Sequence, residues 1–94
     1  MQEIFTEVKG EALTIVNSTN TAIAAQSGSL PVFGTPFMIA LMEKATCTAI
    51  SDCLEGDETT VGTAINVSHD KASGVGTVVI AYAKLKEAQG RKLI

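Results

Sequence analysis

The spacing of apolar and polar positions changes character several times along the chain, and each change predicts an element. Residues 8–17 (Val-Lys-Gly-Glu-Ala-Leu-Thr-Ile-Val-Asn) are rich in β-branched side chains and predict a strand. Asn17 to Asn20 is polar and predicts a bend, after which Thr21 to Ala25 can continue the strand. Residues 26–31 (Gln-Ser-Gly-Ser-Leu-Pro) form a loop by composition. Val32 to Leu54 then predicts a helix. Its start signal is Gly34-Thr35-Pro36, with Thr35 as the capping residue and Pro36 at the first helical position. No polar stripe interrupts its first four turns, and a helix apolar all round is normally buried all round. In so short a chain that requires a sheet wrapped around it.

Glu55-Gly56-Asp57-Glu58 ends the helix in a solvated turn. Thr59 to Lys71 alternates, with Val61, Ile65, Val67 and His69 on the side expected to face the helix. Gly62, Ala64, Asn66, Ser68 and Asp70 fall on the other side. Ser73 to Gly76 predicts a turn, Thr77 to Leu85 a strand, Gln89-Gly90-Arg91 a hairpin turn, and Lys92-Leu93-Ile94 the start of one more strand. The order is that of an α+β domain, one helix on an antiparallel sheet. A last strand of three residues leaves its neighbour an open edge. The expectation is a single domain over residues 1–94 that is incomplete at its C-terminus.

Composition narrows the function classes. The chain has 94 residues, enough for one domain. Hydrophobic residues make up 46% and charged residues 18%, so either a well-buried helix or a large oligomeric interface must absorb the apolar surface. With three Phe, one Tyr and no Trp, the core is aliphatic. The net charge of −3 comes with no basic stripe and no aromatic platform, which argues against nucleic-acid binding. Cys47 and Cys53 stand six apart without a CxxC pair, so both are expected to be packed thiols in the helix rather than a disulfide, redox or metal pair. No cationic segment leads into an apolar core at the N-terminus, and no apolar run can span a bilayer. A cytoplasmic location, with no membrane partner, is the expectation.

Two segments carry a resemblance. Leu-Pro-Val-Phe-Gly-Thr-Pro-Phe-Met-Ile-Ala-Leu-Met-Glu-Lys-Ala (30–45) resembles the helix signature of hotdog-fold acyl-CoA thioesterases related to fluoroacetyl-CoA thioesterase. Val-Gly-Thr-Ala-Ile-Asn-Val-Ser-His (61–69) resembles that family's second signature, and the run through Gln89-Gly90-Arg91-Lys92-Leu93 also fits. The similarity runs from about residue 8 to the end. It implies a hotdog fold, a long central helix wrapped by a curved antiparallel sheet, working as a homodimer or higher homo-oligomer. It also implies about two further strands after the point where this sequence stops. The implied activity is hydrolysis of an acyl-CoA thioester, with no cofactor and no metal, since CoA belongs to the substrate.

The resemblance puts the reactive threonine on Thr35, the carboxylate on Glu43 and the histidine on His69, with Gly62 and Pro36 contacting substrate. Each has a plainer role as well. Thr35 can be a helix cap, Glu43 a solvated surface acid beside Lys44, and His69 a satisfied residue on an apolar strand face. The roles are compatible at Thr35, because a hydroxyl at a helix N-terminus sits beside unpaired N–H groups able to hold a carbonyl gaining charge. His69 is the sole histidine, the residue type best suited to a general base, and Glu43 would either orient it or activate water. Thr35 and Glu43 lie eight residues apart, about 12 Å along a helix, and cannot touch. The site therefore needs His69 between them or a second subunit. Asn66, Ser68 and Asp70 read as solvated, and Lys84, Lys86, Arg91 and Lys92 as a solvated strand end that could also meet a CoA phosphate. The loop before the helix carries no aromatic residue to shape a tight acyl pocket, so a short acyl group other than fluoroacetyl is expected.

Overall fold

A computed structural model describes residues 7–94. Strand β1 spans Lys9–Ile15, helix α1 Thr35–Ile50, a single 3-10 turn Ser51–Cys53, strand β2 Val78–Lys84, and a short hairpin is made by β3 (Ala88–Gln89) and β4 (Lys92–Leu93). β1 and β2 run antiparallel, with Lys9 opposite Lys84, Ala12 opposite Ala81 and Ile15 opposite Val78. Gly90, at φ +60, turns β3 into β4, as the glycine between two short extended runs predicts.

Helix α1 lies across one face of the β1–β2 ladder. Its close approach comes from small residues. A Cβ added to Gly10 would stand 2.4 Å from Ala49 N and 2.6 Å from Ala45 O, so strand backbone rests directly on helix backbone there. Ala12, Ala45 and Ala81 continue the same seam, joined in one core cluster by Val16, Phe33 and Leu41. Phe37, Met38, Val79 and Ala83 pack against that cluster.

Four expectations are corrected. Only Leu41, Ala45 and Ile50 of α1 are buried, so the helix is partly covered rather than buried all round. Thr21 to Ala25 turns instead of extending: Thr21 pairs in a lone bridge with Phe33, and Ala25 and Gln26 donate back to Thr21 and Ile23 carbonyls. Thr59 to Lys71 joins no ladder among the described residues, and no backbone–backbone hydrogen bond there involves residues 59–72. The alternation is present, but an extended run becomes a strand only when its N–H and C=O groups meet a neighbour. Val61 at 80% exposure and Ile65 at 57% stay uncovered, while Val67 and His69 are half-buried. Cys47 and Cys53 are free thiols in two different elements, Cys47 exposed and Cys53 half-buried, so Cys47 is not packed as expected. No helix among the described residues is long and apolar enough to cross a membrane.

Candidate active site

The helix start is arranged differently from its sequence reading. Gly34 (φ −77, ψ 139) is the capping residue, without a side-chain cap, and Thr35 is the first helical residue, followed by Pro36. The Thr35 hydroxyl is thereby released from capping. It stands 2.8 Å from His69 Nδ1 instead. This pairing spans 34 positions of sequence and joins the helix start to the end of the extended 61–69 run.

The backbone at this end is nearly accounted for. Phe37 N–H and Met38 N–H both donate to Gly34 O, at 3.0 and 2.9 Å. Pro36 has no N–H to offer. Of the first turn's donors, that leaves the Thr35 N–H without a backbone acceptor among the described residues. The region is fastened from behind by Gly34 N–H to Asn20 O (2.9 Å) and Phe33 N–H to Ser73 O (2.8 Å). The second bond anchors the chain four residues beyond His69.

Glu43 lies two turns further along the same helix, about 12 Å up the axis and roughly 80° around it from Thr35. Its carboxylate reaches the other end of the extended run: a Cβ built on Gly62 would stand 3.2 Å from Glu43 Oε2. The segment from Gly62 to His69 thus runs antiparallel to α1, with Gly62 beside Glu43 and His69 beside Thr35. The four residues form two contacts on one flank of the helix, Thr35 with His69 and Glu43 with Gly62. The expected Glu43–His69 pair is not formed. Among the described residues the Glu43 carboxylate has neither a hydrogen-bond nor an ion-pair partner, because the histidine sits at the far end of a run long enough to separate them. Thr35, Pro36, Glu43 and Gly62 are exposed and His69 half-buried, so the flank is open to a ligand.

The neighbours of His69 behave as solvated residues: Ser68 Oγ donates to Asp70 Oδ2 at 2.8 Å, both exposed. Lys84 is not free for a phosphate. It pairs at 2.8 Å with Glu7 at the ladder end beside the C-terminal half of α1, away from Thr35. The sequence reading expected unpaired N–H groups at the helix start; the Pro36 position and the Gly34 conformation reduce them to one, that of Thr35, among the described residues.

Comparison with known proteins gives a consistent result. The family model described as "FlK: Fluoroacetyl-CoA-specific thioesterase" matches residues 16–94. The chain is 44% identical over 62 residues to the fluoroacetyl-CoA thioesterase of Streptantibioticus cattleyicolor, an alignment covering 66% of this chain and 45% of that protein. The match therefore spans less than half the length of this curated relative. Among solved structures, fluoroacetyl-CoA thioesterase FlK superposes with a TM-score of 0.86 at 31% identity, covering 98% of this chain and 73% of that one. A threonine-to-serine variant of it in complex with acetyl-CoA gives 0.85 at 30% identity, over 96% and 72%. A phenylalanine-to-alanine variant with fluoroacetate and CoA gives 0.83 at 31%, over 96% and 77%. The helix laid across an antiparallel ladder is the hotdog arrangement of these structures.

Proposed function

Because this chain belongs to the fluoroacetyl-CoA-specific thioesterase family, we propose that it hydrolyses a short-chain acyl-CoA thioester to the free acid and CoA. The observation that carries the reading is the 2.8 Å contact between Thr35 Oγ1 and His69 Nδ1 on an open flank of the helix. With its proton on Nε2, the imidazole accepts the hydroxyl hydrogen at Nδ1, the relation an activated nucleophile requires. Thr35 Oγ1 adds to the thioester carbonyl as its proton passes to His69. The Thr35 N–H faces the oxygen that gains charge. Collapse expels the CoA sulfur, which takes the proton from His69, and an acyl group remains on Thr35. Water then replaces Thr35, releasing the acid and restoring the hydroxyl. Glu43, unpaired beside Gly62, is the base for that water rather than an orienter of His69. Gly62 presents bare backbone to the substrate beside the carboxylate, and Pro36 lines the approach to Thr35.

A homodimer in the cytoplasm belongs to the same reading. Its support is the extended run 59–71, whose backbone is unpaired among the described residues and whose Val61 and Ile65 are uncovered. A fluoroacetyl preference is not part of it, since residues 26–31 hold no aromatic side chain.

The test is thiol release from a panel of short acyl-CoAs. The expected result is turnover by the wild type and loss in His69→Ala. Tight acyl-CoA binding without release in either protein would instead indicate a binding module. Formation of an enoyl product without free thiol, from a hydroxyacyl-CoA, would indicate a dehydratase.

A further inference from the structure

The two contacts of the site leave a gap between them, and one side chain stands in it. On α1, Ile39 lies about 6 Å along the axis and roughly 40° around from Thr35, and the same again from Glu43. It is the helix position midway between the proposed nucleophile and the proposed base for water. The hydrophobic core does not account for it. The core cluster takes Leu41 and Ala45 from α1, with Phe37 and Met38 packed against it. Ile39 is half-buried yet belongs to neither group among the described residues. It points about 120° around the helix from Ala45, where the backbone of β1 rests.

The extended run beside this flank brings a second aliphatic side chain to it. Val67 stands two positions before His69 and, like it, is half-buried, while Asn66, Ser68 and Asp70 are exposed. Val67 and His69 therefore share a face. Neither Ile39 nor Val67 serves the core, and both lie where Thr35, His69 and Glu43 converge.

Side chains on a helix lean toward its N-terminus, so Ile39 covers the turn between itself and Thr35. A thioester whose carbonyl carbon meets Thr35 Oγ1, and whose acyl-enzyme is attacked by water held at Glu43, has its acyl group between the two. That places the acyl carbons over Ile39. One turn is about 5.4 Å, and the isoleucine branches take up part of it, leaving room for about three carbons in line. A longer chain must displace a β-branched side chain that has one strongly preferred rotamer in a helix.

We propose, resting on the hydrolytic reading above, that Ile39 is the specificity-determining residue of this site: with Val67 at its side, it is the floor that limits the substrate to an acyl group of about three carbons or fewer.

The experiment measures kcat/KM for thiol release from acetyl-, propionyl-, butyryl- and hexanoyl-CoA with the wild type, Ile39→Ala and the milder Ile39→Val. The wild-type value is expected to be about tenfold or more lower for hexanoyl- than for propionyl-CoA, since one misfitting methylene in an apolar pocket already costs that much. Ile39→Ala removes the branches of the floor, and its hexanoyl-to-propionyl ratio is expected to rise about tenfold over wild type. Ile39→Val removes only the terminal methyl and should raise the butyryl-to-propionyl ratio several-fold. A general loss of packing lowers all the substrates together and leaves these ratios where they were. Thiol release with unchanged ratios in a folded variant overturns the role of Ile39 and leaves the hydrolytic reading standing. No release by the wild type from any of these acyl-CoAs ends both. Should both variants unfold, the wild-type profile decides: the fall from propionyl to hexanoyl supports the floor, and a flat or rising profile overturns it.

Discussion

Thr35 Oγ1 and His69 Nδ1 stand 2.8 Å apart, and Thr35 is free for this contact because Gly34, not Thr35, takes the capping position. Removing either partner removes a different part of the proposed chemistry. His69→Ala loses proton transfer, expected to cost about 10²- to 10⁴-fold in kcat/KM. Thr35→Ala should fall by a similar factor, while Thr35→Ser keeps an oxygen in place and should retain measurable turnover. Thermal stability should change little in all three, since neither side chain is buried. Steady-state thiol release with a parallel melting curve checks this; full activity in Thr35→Ala would remove the nucleophile from the scheme.

Gly62 and Glu43 make the second contact of the site. A methyl on Gly62 would meet Glu43 Oε2 at 3.2 Å, tighter than an ordinary contact, so the carboxylate must swing aside by a few tenths of an ångström. The exposed glutamate can do so without disturbing the fold. Gly62→Ala is therefore expected to keep the wild-type melting temperature while slowing turnover several-fold. Glu43→Gln, which keeps the shape but not the basicity, should slow it further. If Glu43 serves breakdown of an acyl intermediate, Glu43→Gln accumulates acylated protein, and intact-mass measurement after mixing with substrate reads that directly.

Gly10 is where the fold itself is most exposed to a single methyl. Its added Cβ would lie 2.4–2.7 Å from the backbone of Ala45 and Ala49, and neither helix nor strand backbone can yield locally. Gly10→Ala must push α1 off β1 and open the Ala12, Ala45 and Ala81 seam. The expected cost is about 3 kcal/mol or more, the upper part of the range for overpacking, which for a domain of this size lowers the melting temperature by more than ~10 °C. A thermal scan checks it; a melting temperature within a degree or two of wild type contradicts the backbone contact.

Much of this arrangement was legible in the residues, and the exceptions share a cause. The strands at 9–15 and 78–84 and the turn at Gly90 follow from β-branched runs and glycine. The helix followed from Pro36 and an uninterrupted apolar stretch. What local pattern does not carry is what lies beside each element. Alternation from Val61 to His69 fixes which residues share a face, not whether a ladder neighbour exists, so the strand reading failed there. The apolar helix and the large outward residues of β1 and β2 likewise report a demand for burial without naming the surface that meets it. At the site, Thr35 and His69 were singled out by resemblance, and the structure brings them together. Glu43 and His69 were expected as a pair, and the length of the 62–69 run holds them apart.

Lys9 and Lys84 face each other across the ladder, an unfavourable placement for like charges, and Glu7 resolves it by contacting both, at 2.9 and 2.8 Å. Hydrogen bonding to Lys84, then to Lys9, together with their charge, lowers the Glu7 carboxyl from its ordinary 4.5 to about 2. Because the folded value lies below the unfolded one, the stabilisation is fully present above about pH 4.5 and is lost as pH falls toward 2. Glu7→Gln should melt lower than wild type at neutral pH. The gap should narrow progressively below pH 4.5 and close near pH 2. All three groups are in water, so the gap should be small and should shrink further in high salt. Melting curves of the two proteins against pH, at low and high ionic strength, check both trends; a gap that persists unchanged at pH 2 would show that Glu7 acts through packing rather than charge.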